Sequence, residues 1–150
     1  MTFVLLFLHL VAASFWVGGM AVMHFAVRPA ALALDPPQRL PFMAQALARF
    51  FAGVAAAIVV LLTSGVWMVM LAGGFGRVHW SVHAMFGLGL LMMALFLHIR
   101  FALYPKLQRA VAASEWPVAA AKLGSIRTLV ALNLGLGVAV FAFAILGRAH

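Results

Sequence analysis

Four stretches of the chain contain no Asp, Glu, Lys or Arg: residues 1–27, 50–76, 78–99 and 128–147. A helix needs about 20 apolar residues to cross the ~30 Å hydrocarbon core of a bilayer, and each stretch is long enough. Only helices and closed barrels satisfy their backbone groups in lipid, and no strand-like alternation runs through these stretches. The pattern predicts an all-α, integral membrane four-helix bundle as a single domain over residues 1–150, with spans at roughly 3–27, 50–73, 80–101 and 127–147. The first span has no basic residue before Arg28, and its apolar run exceeds a signal-peptide core, so it is expected to be retained.

The polar positions between spans set the topology. Eight of the ten basic residues fall in or at the ends of the segments 28–49 and 101–127: Arg28, Arg39, Arg49, Arg100, Lys106, Arg109, Lys122 and Arg127. Arg77 and Arg148 belong to the other side. The positive-inside rule then places the two long loops in the cytoplasm, both termini outside, and the protein in the inner membrane. These loops carry helix starts. Asp35-Pro36 reads as a cap and first-turn proline, Leu40-Pro41 as a restart, and Ser114-Glu115-Trp116-Pro117 as a start near 115. Trp80, Tyr104 and Trp116 fall where an interfacial aromatic belt is expected.

Composition narrows the chemistry. With 67% hydrophobic and 8% charged residues, the chain cannot clothe a soluble globule in polar groups, and it is too apolar for disorder. The +8 net charge points to anionic lipid heads rather than nucleic acid. The absence of cysteine removes disulfides, thiolate metal sites and covalent c-type haem. The only acids, Asp35 and Glu115, lie outside the spans, so no carboxylate pair exists there.

That leaves the histidines. His9, His24, His79, His83 and His98 lie in or beside spans, where ionisable groups are rare and usually face the interior. His9 to His24 and His83 to His98 are both 15 residues apart, on helices expected to run parallel. Fifteen residues cover roughly 22 Å with an offset of about 60°, so each pair shares one broad face. The spacing predicts two bis-histidine haem b sites, His9 with His83 outside and His24 with His98 inside, with His79 as an alternative outer ligand. Gly18, Gly19, Gly87 and Gly89 would let a porphyrin approach, or simply help helices pack. Arg28, Arg77 and Arg100, with Arg148, would pair with propionates or snorkel to headgroups. Asn133 would bond a neighbouring helix or a cofactor.

The run from Leu8 to Met20, with its H-x(6)-W-x-G-G core on His9, Trp16, Gly18 and Gly19, resembles the opening helix of the copper-resistance CopD superfamily and of HemJ-type protoporphyrinogen oxidases. Arg49-Phe50, Thr63-Ser64-Gly65 and Trp80-Ser81-Val82-His83 are similar to further positions of the superfamily. The resemblance implies a membrane four-helix unit and, in HemJ-type members, a b-type haem on His9. The third helix departs from the pattern: HemJ-type and many CopD-type proteins have a lysine near its start, whereas no Lys or Arg lies between Arg77 and Arg100. That speaks against protoporphyrinogen oxidation.

Two main functions follow. The first is a di-haem cytochrome b, an oxidoreductase moving electrons across the bilayer to or from quinone, superoxide or a protein partner, with a homo-oligomer as a further option. The alternative is copper handling of the CopD type. Soft Met and His donors select Cu(I), and Met20, Met23 and His24 cluster on one helix, with Met68/Met70 and Met92/Met93 elsewhere. Methionine is also common core filler. A HemJ-like oxidase is the third option.

Overall fold

A computed structural model describes residues 2–147. Arg148, expected near the outer propionates, lies outside the described residues. Four long helices carry the fold: α1 (Thr2–Ala31), α2 (Pro36–Leu71), α3 (Trp80–Ala112) and α4 (Trp116–Leu146). The helices are 30, 36, 33 and 31 residues long. At 1.5 Å per residue they measure about 45, 54, 50 and 46 Å, well beyond ~30 Å of hydrocarbon. The charge-free stretches fix where the excess lies. It is the end of the bundle that carries Arg28, Arg39, Arg49, Arg100, Lys106, Arg109, Lys122 and Arg127, called here the basic end.

The long loops expected over 28–49 and 101–127 are therefore mostly helix. Only residues 32–35 and 113–115 connect the helices at the basic end. Asp35 in extended conformation precedes Pro36, the first residue of α2. The helix then runs straight through Pro41, where a restart was expected. The α3–α4 turn places Ser114 at φ 56°, and the Glu115 N–H closes on the Ala110 carbonyl, which ends α3. At the opposite end, Gly73 and Gly74, at φ 95° and 92°, terminate α2 in a conformation only glycine adopts freely.

Helix α1 packs along α2 and α3 along α4, while α4 also touches α1 and α2. Two notches bring α1 and α2 close. The Phe50 ring occupies the space a side chain at Gly19 would need, and the Phe15 ring does the same at Gly53. At the centre, Trp16 meets Phe96 edge-on at 6.3 Å, Phe96 meets Phe51 at 5.8 Å, and Phe51 meets Tyr104 at 5.3 Å. Tyr104, expected in an interfacial belt, is buried instead, and its hydroxyl donates to the Ala44 carbonyl at 2.8 Å. Trp80 is exposed, as a belt residue would be.

Both odd-numbered helices contain a short π segment, Met23–Val27 in α1 and Ile99–Leu103 in α3. Here the Arg28 N–H bonds the Met23 carbonyl and the Tyr104 N–H bonds the Ile99 carbonyl, five residues back. Proline is the cause. Pro29 and Pro105 have no N–H, and their rings crowd the carbonyls of Phe25 and Phe101, so each helix widens by one residue just before. The likeness extends to packing. Trp16 and Met92, Met20 and Phe96, and Ala31 and Leu107 are all buried, and each pair is separated by the same distance in sequence as Pro29 and Pro105.

Candidate functional site

The structural correspondence between α1 and α3 decides where the histidines point. It pairs residues 76 apart (Pro29 with Pro105), whereas His9 and His83, or His24 and His98, are 74 apart. Two residues on a helix turn a side chain by about 200°. His9 and His24 are accordingly half-buried on α1, while His83 and His98 fall on the exposed side of α3. Sequence spacing alone cannot see this, because equal intervals say nothing about which face each pair occupies.

His9 faces α2. Its Nδ1 lies 2.9 Å from the Ser64 hydroxyl, and Gly65 leaves room for the ring, since a Cβ there would sit 3.1 Å from the imidazole Cε1. The Ser64 hydroxyl proton is directed to the Val60 carbonyl, so Nδ1 is the protonated nitrogen and donates to Ser64. The His9 ring also hydrogen-bonds the Leu61 backbone carbonyl, a second tie to α2. The His83 ring lies tilted against Phe75 in the α2–α3 connection, with 5.9 Å between ring centroids. His79 caps α3, its Nδ1 accepting the Ser81 N–H at 3.4 Å. The contacts found for the His9 ring are with Ser64, Gly65 and the Leu61 carbonyl of α2, not with His83 or His79.

His24 lies within the π segment of α1 and packs edge-on against Phe25. It opens onto a cavity of about 200 Å³ at the basic end, enclosed by α1, the start of α2 and α4. Met23, Arg28 and His24 come from α1, Arg39 and Met43 from α2, and Arg127 from α4. His98 does not line it. Met43, Arg39 and Arg127 are functional candidates that sequence reasoning missed. The available signal was the amphipathic pattern of the segment read as loop, in which Leu40, Met43, Ala44 and Leu47 are buried at helical spacing.

The remaining residues fall elsewhere. Arg100 lies over the Phe101 and Tyr104 rings, at 5.5 and 5.4 Å. Arg77 is exposed beside Gly73. A side chain at Gly18, Gly87 or Gly89 would meet nothing within 4 Å, so these three glycines border no close neighbour, unlike Gly19. Asn133 is buried and donates to the Met92 carbonyl of α3 at 3.2 Å; its Oδ1 has no partner. Met20 and Met92 are buried, whereas Met70 is exposed. Among the described residues no three His, Asp or Glu converge as a metal cluster, so any metal at the basic end would depend on thioether donors.

Comparison with known proteins adds one finding. The family model described as CopD, copper resistance protein D, matches residues 44–146, which takes in α2 from Ala44 on, α3 and α4. Within it lie Arg49-Phe50, the Ser64-Gly65 seat of His9, and Trp80 to His83; His9 itself precedes it. No curated protein and no solved structure matches the chain. The match covers most of the chain, and its four long apolar helices are those of a multi-pass membrane protein: the protein belongs to the CopD family associated with copper resistance.

Proposed function

We propose that the protein handles copper in the inner membrane, taking Cu(I) as its cargo at the basic-end cavity, with that end in the cytoplasm and both termini outside. One observation carries the reading: Met23 and His24 of α1 and Met43 of α2 line the same cavity. Two thioethers and an imidazole are neutral, soft donors suited to Cu(I), and they need no carboxylate or thiolate. The basic residues support the orientation through the positive-inside rule, and family membership supports the link to copper. The test is Cu(I) titration of the purified chain against a chromogenic chelator. His24→Ala and Met43→Leu should each weaken binding by about tenfold or more, since even outer-shell losses cost that much. The exposed Met70→Leu should not. Equal affinity in all four proteins would overturn the reading.

A second reading, a haem-binding cytochrome, is favoured by His9. Its Nδ1 is held by the Ser64 hydroxyl, the kind of support that orients metal-ligating histidines. The residues fit a bis-histidine site poorly. His83 and His98 lie on the exposed side of α3, Trp16, Phe51 and Phe96 fill the centre, and the cavity at His24 is smaller than the 300–1,000 Å³ typical of cofactor pockets. A reduced-minus-oxidised spectrum of protein expressed with adequate haem decides: b-type bands that disappear in His9→Ala support it, and their absence removes it.

A further inference from the structure

Arg28, Arg39 and Arg127 reach one cavity from three different helices. The chain has only two acids, Asp35 and Glu115, and neither lines that cavity. The hydrogen bond found for these guanidiniums among the described residues is a long one, from Arg39 to the Leu34 carbonyl at 3.4 Å. Three like charges gathered without a counter-charge repel one another, and the repulsion grows where apolar walls lower the local dielectric. The walls here are apolar: Leu40, Leu47, Ile126 and Val130 line the same space. The cavity lies at the ends of the charge-free stretches 1–27, 50–76 and 128–147, beside the basic residues that follow or precede them.

Guanidinium groups bind phosphate by paired N–H donors in a fixed fork, and basic pockets between membrane helices take anionic headgroups. We propose that the Arg28–Arg39–Arg127 cavity binds a phosphate anion. The shared chemistry has two sources: the phosphodiester of an anionic phospholipid, or free phosphate from the aqueous side. Apolar walls below a cationic rim match the first, with acyl chains running down past Leu47 and Val130. The inference concerns the same cavity as the copper reading, where an anion would offset the three guanidiniums that a Cu(I) cation would meet; it is tested on metal-free protein, so that its failure and the failure of the copper reading are distinguishable.

The experiment uses the full chain in detergent, with two probes. Native mass spectrometry follows retention of added phosphatidylglycerol against phosphatidylcholine. In parallel, inorganic phosphate is titrated and thermal unfolding is recorded. Arg→Gln variants at 28, 39 and 127 are compared with Lys106→Gln and Arg109→Gln, basic residues of α3 that do not line the cavity. Retention of about one phosphatidylglycerol per chain, falling about fivefold for each cavity arginine removed and unchanged in the α3 variants, supports a lipid source. A phosphate-dependent rise in unfolding temperature with the same variant pattern supports free phosphate. Arg127 is exposed, so Arg127→Gln keeps the test open if the other variants fail to fold. The proposal is overturned if neither probe binds, if phosphatidylcholine is retained equally, or if the α3 variants lose as much as the cavity variants.

Discussion

Leu107 and Leu90 belong to the same helix, yet Leu107 is fully buried and Leu90 is 46% exposed. The contrast is one of emphasis between two regions, since Leu32, Phe42 and Val118 are exposed at the basic end and Trp16 and Val54 are buried in the spanning part. At the basic end, Leu40, Ala119 and Ile126 are buried to within 1%. In the spanning part, Phe7, Val59, Leu90 and Val138 lie bare. The difference is one of solvent. Helices that project into water must hide apolar surface, and each buried side chain there contributes about 1.5–3 kcal/mol. Lipid tails are as apolar as leucine, so helices within the bilayer gain little by covering theirs and associate through close packing and a few polar contacts instead. Gly19 against Phe50 and Asn133 against Met92 are contacts of that kind.

The sharpest test of this contrast is a pair of truncations on α3. Leu107→Ala should destabilise the protein by about 2–5 kcal/mol, whereas Leu90→Ala should change stability by less than about 0.5 kcal/mol. Thermal or denaturant unfolding in a fixed detergent measures both, and equal losses would break the distinction. A smaller effect is expected at Tyr104, whose hydroxyl ties α3 to the Ala44 carbonyl of α2. Tyr104→Phe keeps the ring against Phe51 and should cost about 1 kcal/mol. The smallest is expected in the lipid-spanning part. Asn133→Leu loses one interhelical bond, worth about 0.6 kcal/mol on average in a bilayer, and also removes an oxygen that has no partner. Its effect should lie between zero and that figure, and a loss above about 2 kcal/mol would show that Asn133 holds more than Met92.

The spans were legible because charge is nearly absent from them, and four gaps between basic residues are hard to read otherwise. The helical extensions were hidden by their own polar residues. Arg39, Pro41 and Arg49 make the segment look like a loop, although Leu40, Leu47, Phe51 and Val54 keep a helical rhythm across it. Equal histidine intervals carry no information about faces: His9 and His24 are half-buried, His83 and His98 are exposed, and two residues separate the chemical repeat from the packing repeat. The cavity was only partly visible. Met23, His24 and Arg28 are neighbours in sequence, but Met43 and Arg127 reach them from α2 and α4, and no single-helix pattern announces such a meeting.

The prolines have a consequence for the way one helix serves both regions. Ile99 and Tyr104 are five residues apart and both are buried, a separation that a regular helix would rotate well past a common face. The extra residue held before Pro105 acts as a phase shifter. It advances the pattern by about 100°, so that the stripe meeting neighbours in lipid and the stripe meeting them in water need not be continuous. Pro29 does the same in α1, within the turn that carries His24. The bundle can therefore change its packing rules at the membrane boundary without interrupting a single helix.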